Sequence, residues 1–513
     1  MATFPQTSGA NQPPPLAGHD LFAQNRPLAE ALDREGGGHA GDRCSAFGSL
    51  LTGEPLEWGR LANEHPPQLR THDRFGERID EVEFHPAWHD LLRLSRAHLV
   101  HAERSEVVRS VLFYLSAQVE AGHGCPISMT HAAMPLVPEW RDGLASPGYE
   151  PELKPLAEKR ALQFGMAMTE RQGGSDVRAN TTTATPADGG YLLDGSKWFC
   201  SAPMSDGFLV LAQAPAGLSC FLLPRVLADG TRNGFHIQRL KDKLGDRSNA
   251  SSEIELHGAW AELVGEEGRG VRTIVDMVVR TRLDCVLGAA AGMRQAVEQA
   301  THHAAHRIAF GKLLGDQPLM QNVLADLCLE SEAATALALR LAGAYERGET
   351  AFARIATPVA KYWVCKRGPA HAAEALECVG GSGYVEESGL PRLYRQQPLL
   401  SIWEGSGNVV CLDVLRAIRR EPETVEAFLA ELEPALRPAV ERALAEADEA
   451  GARRLVERLA VALQASLLRR HAPAEVADAF DAARLDAGWL GFGTLPPGTD
   501  VSSIIERHRP DAR

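Results

Sequence analysis

One change of pattern in the middle of the chain limits the folds that it can adopt. Between Leu162 and Gly265, short apolar runs follow each other at roughly ten-residue spacing, separated by turn residues. Long stretches with helical periodicity precede and follow this region. Strands that are grouped together, rather than alternating with helices, argue against a doubly wound sheet. The sequence therefore predicts an α+β multidomain fold, with a central β-sandwich or barrel between helical domains.

Composition and periodicity divide the chain into five segments. Residues 1–45 are rich in proline and glycine and predict an extended arm with at most one short helix, from Pro27 to Asp33. The others are a helical N-terminal domain (46–160), a β domain (161–266), a C-terminal helical bundle (267–419) and an extra helical domain (420–513). A chain of 513 residues is long enough for several domains, because single cores stop growing near ~250–300 residues.

Composition and charge argue against several classes of protein. The net charge of −14 disfavours a nucleic-acid or anionic-membrane surface over the whole chain. No apolar run is long enough to span a membrane, and the N-terminus lacks the pattern of a secretory signal. The nine cysteines are dispersed, as in a protein with reduced thiols. We therefore expect a cytoplasmic protein with no membrane partner.

A small-residue loop stands at the start of the β region. Residues 168–176 contain two consecutive glycines, and a strand-like run follows at 195–201. Together they offer the hydroxyls of Thr169, Ser175 and Ser201. Glycine has no Cβ, so backbone N–H groups in such a loop can approach a ligand closely. The segment predicts a loop that binds an electron-rich ligand.

A second cluster, residues 402–408, surrounds one carboxylate with small residues. Glu404 lies between Trp403 and Gly405. A carboxylate beside a large apolar ring is partly desolvated, which raises its pKa toward the range of a general base. The alternative is an ordinary surface glutamate in a turn. Taken together, the two clusters predict a cofactor held from both sides, with an acid or base beside it.

Two features of the helical stretch after the β region leave alternatives open. Arg282 lies on an otherwise apolar stripe, and a buried unpaired charge is costly. Its partner is either an internal carboxylate or a ligand. His302 and His306 have a spacing that could hold a metal, but no third ligand lies nearby. We interpret them, with His303, as a solvated helix face and expect no metal.

Several motifs in order resemble the acyl-CoA dehydrogenase family. Residues 167–179 are similar to its first signature and residues 377–392 to its second, and 307–312 and 402–406 also fit. The resemblance covers the chain from about residue 85 to residue 418. It implies an N-terminal helical domain, a central β domain and a C-terminal four-helix bundle. It also implies a homotetramer with FAD at the subunit interfaces.

The resemblance implies a set of FAD-binding positions. These are Met168, Thr169, Gly174, Ser175, Phe199, Ser201, Arg307, Phe310, Glu377, Gly381, Ile402, Trp403 and Asn408. Within this set, Ser201 is implied to lie near flavin N5, whereas Arg307 and Phe310 would reach the FAD of a neighbouring subunit. Glu377 and Gly381 would line the adenine side, and Asn408 would hold the cofactor after the Glu404 turn.

The same resemblance implies a mechanism. Glu404 matches the usual catalytic base, which takes the α-proton of an acyl thioester while the β-hydride goes to flavin N5. In another variant of the family the base directly precedes the arginine that Arg282 matches. Here that position is Thr281, so Glu404 is the candidate base and Arg282 a candidate substrate contact. Val279 stands where many relatives carry an acid that contacts pantetheine, which implies weak acyl-CoA dehydrogenase activity.

An alternative function comes from a branch of the family that acts in the response to DNA alkylation. Its extra C-terminal helices resemble residues 420–513 and are implied to bind double-stranded DNA, with dehydrogenation only vestigial. This segment holds 12 arginines and no lysine against 17 acidic residues, a net charge of −5. Arg416, Arg453 and Arg454 are the candidate DNA contacts. A solvated, charged helical surface is the simpler interpretation of the segment.

Overall fold

Helical regions lie on both sides of one central sheet. The computed structural model describes residues 11–486 and 491–510. Helices come first, then a group of strands, then long helices and a final set of shorter helices. The predicted α+β multidomain fold is confirmed. Within the described residues, no helix is both long and apolar enough to cross a bilayer.

The N-terminal region is mainly helical and contains one hairpin. Its helices are α1 (Arg26–Arg34), α2 (Gly41–Leu51), α3 (Glu54–Glu64), α4 (Pro86–Ala97), α5 (Glu106–Val119), α6 (Gly124–Ala133) and α7 (Arg141–Leu144), and its strands are β1 (Gln68–His72) and β2 (Arg78–Glu83). Helix α5 begins where the Ser105 hydroxyl accepts from the N–H of Val108, as N-cap residues commonly do. The hairpin interrupts the helical pattern that the sequence predicted for this region.

The predicted N-terminal arm is shorter than expected. Residues 1–10 lie outside the described part of the chain. Helix α1 starts after Asn25, whose side chain accepts from the N–H of Leu28 over 3.3 Å, and it buries Leu28 and Leu32. This is the one short helix that the sequence predicted within the arm. A second helix, α2, begins at Gly41, so the arm ends before the predicted boundary at residue 45.

The central strands close into a barrel-like ring. They are β3 (Phe164–Ala167), β4 (Thr183–Ala187), β5 (Gly190–Ser201), β6 (Gly207–Ala214), β7 (Gly217–Pro224), β8 (Phe235–Leu240) and β9 (Ser251–Val264). Antiparallel pairing joins β6 to β7, β7 to β9, β9 to β5 and β5 to β4. Strand β4 then meets β6 in parallel at Thr183 and Gln213, which closes the ring. The core of the ring includes Phe208, Phe221 and Phe235, all buried.

Long helices follow the ring. They are α8 (Gly270–His306), α9 (Pro318–Glu346), α10 (Thr350–Cys378), α11 (Leu390–Leu400) and α12 (Gly407–Arg420), with the short hairpin strands β10 (Ile308–Ala309) and β11 (Lys312–Leu313) between α8 and α9. Helices α8, α9, α10 and α11 pack against one another. They bury many alanine and leucine side chains in the largest core cluster of the described residues.

A last group of helices covers one side of the bundle. They are α13 (Pro422–Glu431), α14 (Arg437–Ala445), α15 (Ala452–His471), α16 (Ala474–Asp481) and α17 (Val501–His508). Helix α15 packs against α9, α10 and α12. A buried hydrogen bond of 3.0 Å from Trp363 Nε1 to Gln464 Oε1 joins α10 to α15. The extra helices therefore share a core with the bundle.

The histidines near the end of α8 differ in their surroundings. His302 is buried, and its Nε2 lies 2.8 Å from the carbonyl oxygen of Pro14 in the N-terminal arm. The predicted solvated face was therefore wrong for His302, because the arm covers it. His306 is exposed, as expected. In the described part of the chain, no group of three or more His, Cys, Asp or Glu side chains could hold a metal ion.

A buried ion pair joins the N-terminal helices to α8, and we expect its loss to destabilise the fold. Arg109 is fully buried and donates from Nη2 to Asp284 Oδ2 over 2.7 Å. Arg109→Met would leave the Asp284 charge buried without its partner, which costs ~3–5 kcal/mol in other proteins. Chemical denaturation should therefore show a large loss in the free energy of unfolding.

The matched control is Glu83→Gln, which opens the exposed pair between Arg70 and Glu83. We expect it to leave the free energy of unfolding almost unchanged, because exposed pairs contribute little. Equal, small effects of the two substitutions would contradict this account of the buried pair.

Candidate active site

A buried ion pair fastens the small-residue loop to strand β5. Glu170, which is 2% exposed, accepts from Lys197 Nζ over 2.8 Å and from the N–H of Thr181 over 2.6 Å. Burial works to raise the pKa of Glu170, but Lys197 and the N–H donors lower it to about 2. The N–H of Trp198 donates to the carbonyl of Thr169 over 2.8 Å. The loop and the strand, separated in sequence, therefore form one surface.

The two residues of this ion pair were not among those predicted from the sequence. Lys197 is buried in a strand, and Glu170 lies inside the first signature. Neither residue stands out in a single sequence, because a charged pair becomes recognisable only when the fold brings its members together. Their contact explains why the loop keeps its shape: a buried carboxylate must be satisfied by specific donors.

The predicted flavin-facing residues of the loop lie near each other. A Cβ added to Gly174 would come within 2.3 Å of the Thr169 hydroxyl, so only glycine fits there. Gly173 has a φ of 133°, a conformation that favours glycine. Ser175 is exposed, and Met168 is half-buried. The loop thus presents backbone and hydroxyl groups to solvent at one place.

Two further predicted residues extend this surface along β5. The Phe199 ring is 50% exposed, with Lys241 Nζ 4.7 Å from its centre. Ser201 Oγ lies 3.2 Å from Ser251 Oγ, which in turn accepts from Lys243 Nζ over 3.1 Å. The strand therefore combines an exposed ring with a hydroxyl that is linked to a lysine.

The Glu404 turn is held in an unusual backbone conformation. Glu404 has a φ of 58° and Gly405 a φ of 107°. A left-handed conformation costs free energy for a glutamate and persists only where neighbouring contacts enforce it. Arg282 Nε donates to the carbonyl oxygen of Glu404 over 2.9 Å, and Lys361 Nζ donates to the carbonyl oxygen of Gly405. Two cations therefore fix the turn through its main chain.

The carboxyl of Glu404 is half-buried, and its pKa is raised above the usual value of a glutamate. Burial raises its pKa, and the Thr281 hydroxyl and the charges of Arg282 and Lys361 only partly oppose that effect. The Thr281 hydroxyl donates to Glu404 Oε2 over 2.8 Å. A carboxyl with a raised pKa holds a proton more strongly than an ordinary glutamate, and the Thr281 donor fixes its orientation. This is the property expected of a general base.

The two sequence clusters pack against one shared group of apolar side chains. Met168, from the small-residue loop, and Trp403, next to Glu404, both contact the buried cluster that includes Ala202 and Met277. The two sequence clusters are therefore joined through this core.

Arg282 is engaged inside the chain. Its Nη1 donates to Asp413 Oδ2 on α12 over 2.7 Å, in addition to its bond to the Glu404 carbonyl. The internal carboxylate is thus the partner found, of the two that the sequence left open. This guanidinium positions the Glu404 turn, and its contact with a substrate stays a prediction.

The residues that flank Glu404 have distinct surroundings. Ile402 is 60% exposed. The indole Nε1 of Trp403 is buried and has no hydrogen-bond partner among the described residues. Asn408 is exposed, and its Oδ1 accepts from Arg453 Nε over 2.8 Å. An unsatisfied buried donor beside an exposed apolar side chain indicates a surface that is complete only with a ligand.

The remaining predicted cofactor residues lie near the ends of helices α8 and α10, outside the Glu404 turn and the small-residue loop. Arg307 follows α8, about 38 Å along the helix axis from Arg282 at 1.5 Å per residue, and its Nη1 donates to the carbonyl of Asn11. Phe310, in the next hairpin, is 98% exposed with a φ of 51°. Glu377 and Gly381, at the end of α10, are also exposed. The structure therefore does not bring Arg307 and Phe310 to the Glu404 turn of the same chain.

The candidate DNA-binding arginines differ in their contacts. Arg416 and Arg454 are exposed, whereas Arg453 is bonded to Asn408. Two neighbours are paired with acids: Arg469 with Asp481 at 2.7 Å and Arg470 with Glu431 at 2.9 Å. Much of the positive charge on α15 is thus compensated locally.

Family profiles cover most of the chain. The acyl-CoA dehydrogenase C-terminal domain matches residues 268–419, and the acyl-CoA dehydrogenase middle domain matches residues 165–259. The adaptive response protein AidB N-terminal domain matches residues 11–151. These three profiles follow each other without overlap along the chain.

Individual relatives match over similar lengths. AidB of Escherichia coli strain K12 is 49% identical over 433 residues, 80% of each protein. Acyl-CoA dehydrogenase family member 11 of Caenorhabditis elegans is 33% identical over 420 residues, 75% of this chain and 67% of that protein. The crystal structure of Caenorhabditis elegans ACDH-11 in complex with C11-CoA has a TM-score of 0.81 at 26% identity, covering 99% of this chain and 93% of that one. The chain therefore belongs to the acyl-CoA dehydrogenase family of oxidoreductases.

Proposed function

We propose that the protein is an FAD-dependent acyl-CoA dehydrogenase in which Glu404 removes the α-proton of an acyl thioester. The observation that carries this proposal is the Glu404 turn itself. The Glu404 carboxyl has a raised pKa and accepts from a hydroxyl at 2.8 Å. The backbone of Glu404 has the strained, left-handed conformation. Strained backbone is typical of functional sites, where it positions a reactive group.

In the proposed reaction, Glu404 receives the α-proton of the substrate, and neighbouring side chains hold Glu404 in position. Glu404, in its charged form, accepts the α-proton, while Arg282 and Lys361 hold the turn through the carbonyls of residues 404 and 405. The Thr281 donor keeps one carboxylate oxygen oriented, so that the other can face the substrate. Half-burial limits the water that could compete for the base.

The residues present fit a flavin dinucleotide. The glycine loop at 173–174 permits close approach, the Phe199 ring offers an exposed flat face, and the Trp403 N–H is a buried donor without a partner among the described residues. Thr169, Ser175 and Ser201 would supply hydroxyl contacts. FAD, when bound, would supply the hydride-accepting chemistry that side chains lack.

An open groove along the first turns of α8 supports an acyl-CoA substrate. The groove has a volume of about 740 Å³ and is lined by Arg178, Arg272, Val271 and Val275, among others. Both arginines are exposed and could meet the phosphates of a CoA molecule. Val271 lies about 16 Å before Arg282 along the helix, a distance that a pantetheine chain could bridge. The ACDH-11 structure contains C11-CoA, and the length of the acyl chain is not specified by this groove.

A homotetramer is part of the proposal. Phe310 and Tyr384 are 98% and 83% exposed, and Leu319 is 84% exposed. Large apolar side chains on a surface favour contact with another protein surface. Since Arg307 lies far from the Glu404 turn of its own chain, we propose that Arg307 and Phe310 contact FAD in a neighbouring copy, with Glu377 and Gly381 near its adenine side. Cytoplasmic location stays a prediction from the sequence.

Double-stranded DNA is the second candidate ligand, and its support is weaker. The exposed arginines Arg416 and Arg454 could contact phosphates. However, Arg469 and Arg470 are paired with acids, and the segment has a net charge of −5. A gel-shift series across salt would detect such binding, because phosphate contacts weaken steeply as salt rises.

Replacement of the proposed base gives a direct test. We expect Glu404→Gln to retain bound flavin but to lose at least about 10²-fold in the rate of reaction with acyl-CoA, since a general base contributes ~10²–10⁴-fold. Exchange of the substrate α-proton with D₂O should be lost in parallel. Anaerobic mixing, followed by flavin absorbance, and mass spectrometry of the recovered acyl-CoA measure the two effects.

The control for this test is Glu423→Gln, which changes an exposed carboxylate on α13. Both rates should equal those of the unchanged protein. The proposal fails if Glu404→Gln exchanges the α-proton as fast as this control.

The pH dependence gives a second test of Glu404. The rate should fall as pH drops through its raised pKa, because only the charged form accepts a proton. Thr281→Val removes a donor that lowers this pKa. The acidic limb of the profile for kcat/KM should therefore move to higher pH.

Thr301→Val is the matched control, since Thr301 lies on the same helix and its hydroxyl bonds to the carbonyl of Val297. Its profile should coincide with that of the unchanged protein. A shift of the Thr281→Val limb to lower pH, or no shift, would show that Glu404 does not set the limb.

A further inference from the structure

A hydrogen bond joins the extra helical domain to the turn that follows Glu404. Arg453, near the start of α15, donates from Nε to Asn408 Oδ1 over 2.8 Å. Asn408 is the second residue of α12, which begins at Gly407. One of the arginines that the sequence assigned to DNA thus contacts one of the residues that it assigned to the cofactor.

This contact selects the orientation of the Asn408 amide. An arginine side chain carries donors only, so the oxygen end of the amide must face it. The NH₂ end is then directed away from the guanidinium and remains a donor. An unrestrained exposed amide would populate both orientations, so Arg453 reduces the entropy lost when Asn408 binds an acceptor.

The start of α12 is closely surrounded by side chains. A Cβ at Gly407 would lie 3.1 Å from Lys366 Cε, 3.4 Å from the Tyr362 ring and 3.6 Å from Arg453 Nη2. Neither Lys366 nor Arg453 forms an ion pair with a carboxylate among the described residues. Two cations therefore stand at the positive end of a helix dipole, an unfavourable arrangement that a negative group would relieve.

Helix α15 is rigid enough to position this arginine. Leu455, Val456 and Leu459 are buried beneath it, and Gln464 on the same helix accepts the buried bond from Trp363. Arg454, the next residue, is exposed and forms no hydrogen bond or ion pair with another described residue. Adjacent arginines therefore have different environments, which provides a matched pair for experiment.

We propose that Arg453 is a positioning residue of the cofactor site rather than a contact to nucleic acid. It orients the Asn408 amide so that the NH₂ group meets an anionic oxygen of the bound dinucleotide. The proposal rests on the flavin-dependent function proposed above. It makes the extra helical domain part of the cofactor site.

Reconstitution of the full-length apoprotein with FAD tests this proposal. Arg453→Ala should weaken FAD binding about tenfold, as expected for loss of an orienting hydrogen bond to a charged group, whereas Arg454→Ala should leave it unchanged. In an Asn408→Ala background, Arg453→Ala should cause little further loss, because the two residues act through one contact. Fluorescence titration measures the affinities, and a melting temperature of each apoprotein reports the fold.

The outcomes separate this proposal from the proposed function. If the unchanged apoprotein binds no FAD, the proposed function itself fails. If it binds FAD but Arg453→Ala binds equally well, the role of Arg453 is refuted while the function stands. Additive losses in the double variant would also refute it, even where Arg453→Ala lowers the melting temperature. If Arg453→Ala weakens a gel shift with double-stranded DNA and leaves FAD binding intact, Arg453 is a nucleic-acid contact.

Discussion

The active-site geometry depends on one turn of helix α8. Thr281 bonds to the Glu404 carboxyl, Arg282 bonds to the Glu404 main chain and to Asp413, and Asp284 pairs with the buried Arg109. Three residues within four positions of α8 thus connect the base, helix α12 and the N-terminal domain. Because each contact involves a charge or a charge-assisted donor, small displacements of α8 would be costly. The strained conformation of Glu404 is maintained by these contacts.

Buried charges also fix the geometry of the glycine loop and strand β5. Glu170 and Lys197 fasten the glycine loop to β5, and Lys243 reaches Ser201 through Ser251. Ion pairs of this kind contribute little net stability compared with apolar packing, but they specify one arrangement of the chain. They leave the exposed hydroxyls and the Phe199 ring at fixed positions. The site is therefore built by electrostatic contacts within a scaffold that apolar burial stabilises.

Much of the architecture was predictable from periodicity. Strands at short spacing and helices with apolar residues at helical spacing follow from local preferences, so the α+β order was predicted correctly. The short helix within the arm was predicted, but the arm was extended to residue 45, although α2 begins at Gly41, because the glycines of residues 36–41 dominated the interpretation of that stretch. His302 was assigned to a solvated face, since no local pattern reveals that a distant segment, near Pro14, covers it. Burial by a remote part of the chain, as at His302, leaves no local signal in the sequence.

The sequence by itself determined the family, the order of the domains and the identity of the candidate base, because motif spacing and local periodicity are properties of the linear chain. Only the tertiary structure decided the partner of Arg282, the ion pair of Glu170 and the contact between Arg453 and Asn408. The physical reason is that a buried charge needs a partner, but the sequence contains many carboxylates and amides that could serve as that partner. Folding selects one of them by bringing it within hydrogen-bond distance while excluding water.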